Sequence, residues 1–103
     1  MDYKFHPAAE AEYEAAARRY DEVSIELGDR FVAEVESAIE RVCHNPEWFR
    51  NLTPRVRRCL TRTFPYGILF EAEGERILIV AVMHLHRPPD YWKQRMTGGE
   101  KHP

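Results

Sequence analysis

An α+β fold of two layers, a helical hairpin packed on a small antiparallel sheet, is what this sequence predicts, and three features predict it. Residues 8–44 are rich in Ala and Glu and place apolar residues at helical spacing. From residue 55 the period changes to strand-forming runs. The run "RILIVAVM" at 76–83 is almost continuously apolar and needs cover on most of its surface. Helices repeat their apolar positions every 3.6 residues and strands every two, so the change of period marks the change of element. A hairpin of helices laid on the sheet buries both apolar sets.

The elements follow in the order β-α-α-β-β-β. "DYKFH" at 2–6 alternates apolar and polar residues and predicts a short strand. Pro7 suits the first turn of a helix. From Ala8 to Leu27, Tyr13, Ala16, Ala17, Tyr20, Val23 and Leu27 form one stripe. Gly28 is expected to break that helix and Asp29 to cap the next. In residues 30–44, Phe31, Val35, Ala38, Ile39 and Val42 line one face, until Asn45-Pro46 ends it. "EWFRNLTP" (47–54) reads as a loop. "RVRRCLTR" (55–62), "YGILFEA" (66–72) and "RILIVAVMHL" (76–85) read as three strands. The last two are joined by a tight turn in which Gly74 takes positive φ. Pro88-Pro89-Asp90 opens a short terminal helix carrying Tyr91, Trp92 and Arg95. Residues 1–96 are expected to form a single domain and 97–103, "TGGEKHP", a flexible tail.

The totals narrow the function. At 103 residues, 44% of them hydrophobic and 31% charged, the chain is an ordinary one-domain globular sequence. No apolar run reaches the roughly 18 residues of a membrane span, and the N-terminus has no apolar signal core. Cys43 and Cys59 have neither CxxC spacing nor an export signal, so they read as reduced thiols of a cytoplasmic protein. No Gly-rich phosphate loop, HExxH, GxSxG or zinc spacing occurs, so no metal or cofactor is expected. Net charge is −2, without the basic excess usual for a nucleic-acid binder. The charge is uneven, however: acids outnumber bases over residues 1–47, whereas 48–70 hold 5 Arg and no acid.

Three groups of residues could carry function. Arg55, Arg57, Arg58 and Arg62 crowd one strand, either as charged protection of a sheet edge or as guanidinium forks for phosphate or carboxylate. Alternation puts Arg58 and Arg62 on one face with Leu60, and Arg57 on the other with Cys59. His84, His86, Arg87, Tyr91 and Trp92 cluster where the apolar strand ends. Such residues can pass protons and steady developing charge, although a His at a strand end is ordinarily structural and Trp92 suits an apolar plug. Tyr13 and Tyr20 read as core, and Glu10, Glu12, Glu14, Glu22 and Glu26 as a solvated face.

The basic strand "RVRRCLTR", the following "FPYGILFE" and the closing "ILIVAVMHLHRPPDYWKQR" resemble the RelE/ParE superfamily of toxins from bacterial type II toxin–antitoxin systems, over nearly the whole chain. The resemblance implies two alternatives. RelE-like members are ribosome-dependent mRNA endonucleases; on that reading Arg58, Arg62, His84, His86, Arg87 and Tyr91 are the catalytic candidates, and ribosome and mRNA the partners. ParE-like members poison DNA gyrase without cleavage chemistry. Lys occurs only at positions 4, 93 and 101, and the net negative charge weakens attraction to RNA, which favours the ParE-like branch. Both alternatives imply a cognate ParD-like antitoxin in a hetero-oligomeric complex. Tyr20, Phe31, Trp48 and Phe49 are the expected exposed apolar contacts, with Arg57 and Arg58 meeting antitoxin carboxylates.

Overall fold

In the computed structural model, which describes residues 2–100 and their side chains as far as Met96, a five-stranded sheet is ordered β1-β5-β4-β3-β2. Its strands are β1 (Asp2–Phe5), β2 (Arg50–Asn51), β3 (Arg57–Leu60), β4 (Tyr66–Glu73) and β5 (Arg76–His84). The helices are α1 (Pro7–Val23), α2 (Ile25–His44) and α3 (Lys93–Glu100), with a 3-10 turn at Pro46–Trp48. The α+β hairpin-on-sheet architecture is as expected. The sheet is mixed, not wholly antiparallel: β1 pairs parallel to β5, with Tyr3 opposite Ile77 and Phe5 opposite Ile79. Parallel neighbours need a long crossover. Here the α1–α2 hairpin and three strands lie between them in sequence.

The break between the helices falls four residues earlier than the glycine suggested. Ser24 is extended (φ −165°, ψ 149°), ends α1 by donating its N–H to the Tyr20 carbonyl, and caps α2 by accepting from Leu27 N–H through Oγ at 3.0 Å. A serine hydroxyl satisfies an orphan donor of the first turn. Gly28 lies buried inside α2, where a Cβ would come within 2.9 Å of Asp21 Cα. Its small size lets the two helices touch, which is a different use of glycine from ending one. His6 caps α1 in the same manner, its Nδ1 accepting from Ala8 N–H. The expected loop at 47–54 contains the 3-10 turn and the two-residue β2. Gly74 has φ 63° in the β4–β5 turn, as expected.

The sheet is covered on both faces. Phe31, Val35, Ala38, Ile39 and Val42 of α2, with Ala9 and Ala16 of α1, pack on Ile68, Phe70, Ile77, Ile79 and Val82. On the other face, Val56, Leu69, Val80, Ala81 and Met83 pack with Trp92. Trp92 is the expected plug, 1% exposed, its Nε1 donating to the Pro89 carbonyl at 2.8 Å. Of the expected tail, residues 97–100 continue the backbone of α3, and 101–103 lie outside the described residues.

One irregularity sets what comes next. Leu69 pairs with Ala81 and Phe70 with Ile79, so Val80 is an extra residue, a β-bulge. Val80 and its neighbour Ala81 both pack on the Trp92 face. Ile77 and Ile79 before the bulge, and Val82 after it, pack on the helical hairpin. Strict alternation would have put Val82 and His84 on the Trp92 face.

Candidate functional site

The bulge brings the end of β5 under α1. There a cleft of about 360 Å³ is lined by Glu12, Ala15, Arg19, Tyr66, Val82, His84 and Arg87. Glu12, Ala15 and Arg19 come from one face of α1, since residues three or four apart on a helix are neighbours. Tyr66 opens β4 directly opposite His84, and the two rings meet edge to face at 5.1 Å.

Glu12 is the hub. Its carboxylate accepts from the Val82 N–H at 3.0 Å, from the Tyr91 hydroxyl at 2.7 Å, and from Arg95 Nη1 and Nη2 at 3.0 and 2.8 Å. Arg95 Nη1 also donates to the carbonyl of Val80, the bulged residue. Beyond Ile79, β5 has no β1 residue opposite it. The Glu12–Arg95 pair thus satisfies backbone groups at the bulge, as buried polar groups require. Burial alone would push the Glu12 carboxyl up, but its hydrogen bonds from Arg95, Tyr91 and Val82 outweigh that and hold it below the usual range. Burial and the bond to Glu12 push the Tyr91 hydroxyl well above an ordinary tyrosine. Tyr91 is therefore a fixed hydrogen-bond donor, and the Arg87 and Arg95 guanidinium groups stack on its ring at 4.0 and 5.0 Å.

His84 is held in a different way. Its Nδ1 accepts from the His86 N–H at 3.1 Å, and the two imidazoles lie 5.1 Å apart. Partial burial, then the charges of His86 and Arg19, lower its pKa, so it is neutral at pH 7. Arg19 donates to the Tyr66 hydroxyl at 2.9 Å. Chemically, this end of the sheet offers a neutral imidazole beside Arg19 and Arg87, a setting that suits recognition of an anionic group.

The residues expected from the sequence do not converge. His84 and Arg87 line the cleft, whereas Tyr91 is tied to Glu12 and His86 and Arg62 are exposed. Arg58 is on the Trp92 side, lining a second cleft with Leu52, Met83 and Trp92. Its side chain also lies against Gly67, where a Cβ would meet Arg58 Cδ at 3.0 Å. The remaining strand arginines hold the fold. Arg55 pairs with the buried Glu71 at 2.7 Å, and Arg57 donates to the carbonyls of Glu47 and Phe49 at 3.1 and 2.8 Å.

Among the expected apolar contacts, Trp48 is 79% exposed, and Tyr20 and Phe49 are half-buried. Phe31 is a correction: it is fully buried, ringed by Tyr13, Tyr20, Phe64 and Tyr66 at centroid distances of 5.0–6.2 Å. An α2 position aimed between α1 and the sheet has no route to solvent. Glu12 was read as part of a solvated acidic face. The signal that separates it from Glu10 and Glu14 is its place in line with the buried Ala9 and Ala16, three and four residues away.

Over residues 3–89 the chain matches the family model described as the ParE toxin of the type II toxin–antitoxin system parDE. A solved structure described as a chromosomal ParDE system from P. aeruginosa shares the fold, with a TM-score of 0.70 at 20% identity over 84% of this chain and 97% of that one. No curated protein matches the chain. The Tyr91–Arg95 segment that clamps onto Glu12 lies beyond the matched residues. A family match over most of the chain, on a fold shared with a ParDE structure, means that this protein belongs to the ParE toxin family of type II toxin–antitoxin systems.

Proposed function

We propose that this chain inhibits DNA gyrase by binding it, and that a ParD-like antitoxin holds it inactive in a hetero-oligomeric complex. One observation carries the choice of binding over cleavage. The six residues that an endonuclease of this superfamily would use are divided between the two faces of the sheet and open solvent, and the Tyr91 hydroxyl is consumed by Glu12. Acid–base catalysis needs its acid and base within hydrogen-bond reach of one reacting group. The net charge of −2 supports the same reading, since it gives little general attraction to ribosomal RNA. His84, Arg87 and Arg19 then serve as contact residues at the end of the sheet. Trp48, Tyr20 and Phe49, with Arg57 and Arg58, serve as antitoxin contacts.

The test is induction of the chain alone in a bacterium, with labelled thymidine and methionine followed over the first minutes, beside a supercoiling assay with purified gyrase. The proposal expects DNA synthesis to fail first, supercoiling to be inhibited, and added antitoxin to restore both. Early failure of translation with cleaved mRNA, abolished by His84→Phe or Arg87→Gln, would replace it with the endonuclease reading.

A further inference from the structure

The cleft under α1 is a set of hydrogen-bond donors without an acceptor to answer them. His84 Nδ1 accepts the His86 N–H, so the ring proton sits on Nε2, which has no partner among the described residues. Tyr66 is 3% exposed, and its hydroxyl accepts from Arg19 at 2.9 Å. The proton of that hydroxyl has no acceptor among the described residues, an uncommon state for a buried residue. Arg19 and Arg87 have no carboxylate partner among them either. Glu12, the one acid in the lining, is already occupied by Val82, Tyr91 and Arg95.

These donors are fixed before anything binds. Arg87 stacks on the Tyr91 ring, and Tyr91 is tied to Glu12. Arg19 is tied to Tyr66, whose ring is braced by His84 at 5.1 Å and by Phe31 at 5.0 Å. Groups held in place lose little freedom on binding. Ala15 and Val82 add apolar wall to the same space of about 360 Å³. Cationic donors beside an apolar wall suit an oxyanion carried on a short methylene stem.

The surroundings favour a single carboxylate over a nucleic-acid strand. A strand would bring a row of phosphates. The adjoining recess, which shares Arg19, Tyr66 and His84, is also lined by Glu22, and Glu10 and Glu14 are exposed on the same helix. Like charges at this range repel. The net charge of −2 adds no attraction for a polyanion. One acidic side chain meets the donors without passing those glutamates.

We infer that this cleft is a socket for one acidic side chain of gyrase. The Arg19 and Arg87 guanidinium groups hold its carboxylate, His84 Nε2 and the Tyr66 hydroxyl complete the donor shell, and Ala15 and Val82 take its methylenes. The identity of the occupant rests on the gyrase reading above; the donor set does not.

The experiment uses the full chain with purified gyrase, free and loaded with DNA, and separately with the ParD-like antitoxin. Calorimetry compares the parent with Arg19→Gln, Arg87→Gln, Arg87→Lys and Tyr66→Phe. Both arginines are exposed, so the Gln variants should melt with the parent. The inference expects each Gln variant to weaken gyrase binding about 10- to 100-fold, with or without DNA, as a charge-assisted bond is lost. Tyr66→Phe should cost about 3- to 10-fold, the loss of a neutral donor. Arg87→Lys should recover part of the loss, since the charge returns without the fork. Antitoxin affinity should stay at the parent value throughout. Parent-like gyrase affinity in both Gln variants would overturn the inference and leave the gyrase reading standing. A loss confined to DNA-loaded gyrase would assign the cleft to phosphate, and weakened antitoxin binding would assign it to the antitoxin; each overturns the inference. Failure of the parent to bind gyrase would overturn both readings.

Discussion

Replacing Glu12 by Gln should unfasten the C-terminal segment, and the structure sets the size of the effect. The substitution keeps the shape but removes the charge and puts an amide donor where Tyr91 and Arg95 already donate. Arg95 is then left uncompensated, with 15% of its side chain exposed. Breaking a buried ion pair at one partner costs about 3–5 kcal/mol, and the residual exposure of both partners places this one at the lower end, about 3 kcal/mol. For a domain of this size that lowers Tm by roughly 12–24 °C. Thermal melts followed by circular dichroism measure the shift, and Trp92 fluorescence on a Trp48→Phe background reports whether α3 has left the sheet.

The acid limb provides a second reading of the same substitution. The folded Glu12 carboxyl is held below its ordinary value of 4.5. Its contribution is therefore complete above that value and is lost as pH falls through the lower, folded-state value. Glu12→Gln should flatten this part of the stability profile. The double variant Glu12→Gln/Arg95→Met should recover part of the loss, because the orphaned guanidinium goes with its partner. A single variant that melts within about 2 °C of the parent, corresponding to less than about 0.5 kcal/mol, and keeps the parent's acid limb would refute the clamp.

Other consequences are smaller or more local. Gly28→Ala should destabilise by about 1–3 kcal/mol in urea titrations, since its Cβ meets the Asp21 backbone; a neutral result would mean that the helices can separate cheaply. Ser24→Ala should cost about 1 kcal/mol through the lost cap on Leu27, measurable in the same titration. Phe31→Ala should cost about 3–5 kcal/mol as a core cavity, and any loss of antitoxin binding should track that unfolding and not exceed it. The His84 resonance should titrate below 6.5 by NMR, and Arg19→Gln should raise its midpoint by removing a nearby positive charge. Because the folded value is depressed, stability linked to His84 is complete above the unfolded value and declines as pH falls.

Local rules carried much of the fold. The stripes of α1 and α2, the three-strand run and the Gly74 turn were legible because each depends on neighbours in sequence. The helix boundary was not, because Val23 and Leu27 continue the apolar stripe across Ser24 and hide the cap. Val23 is in fact 73% exposed. Gly28 was read as a stop, when its role is a contact seven residues back on the other helix. Of the site, His84 and Arg87 were named from their place in the polar cluster where the apolar strand ends. Their companions Glu12, Arg19 and Tyr66 were not, since nothing local distinguishes one glutamate of an Ala-Glu helix from the next.

By itself, then, the sequence determined the order and type of the elements, the family resemblance and the basic stretch at 48–70, all readable from period, turn chemistry and residue order. The tertiary structure decided which faces those residues occupy. A single extra residue, Val80, turns the end of β5 over, because side chains alternate and one inserted position exchanges the two faces. That turn puts His84 beside Arg19 and leaves Arg58 on the far side. It also creates the unmet backbone groups that Glu12 and Arg95 satisfy. Whether a bulge forms depends on how α1, the sheet and the C-terminal segment pack together, and that is a contact among residues 12, 80 and 95 that no local window contains.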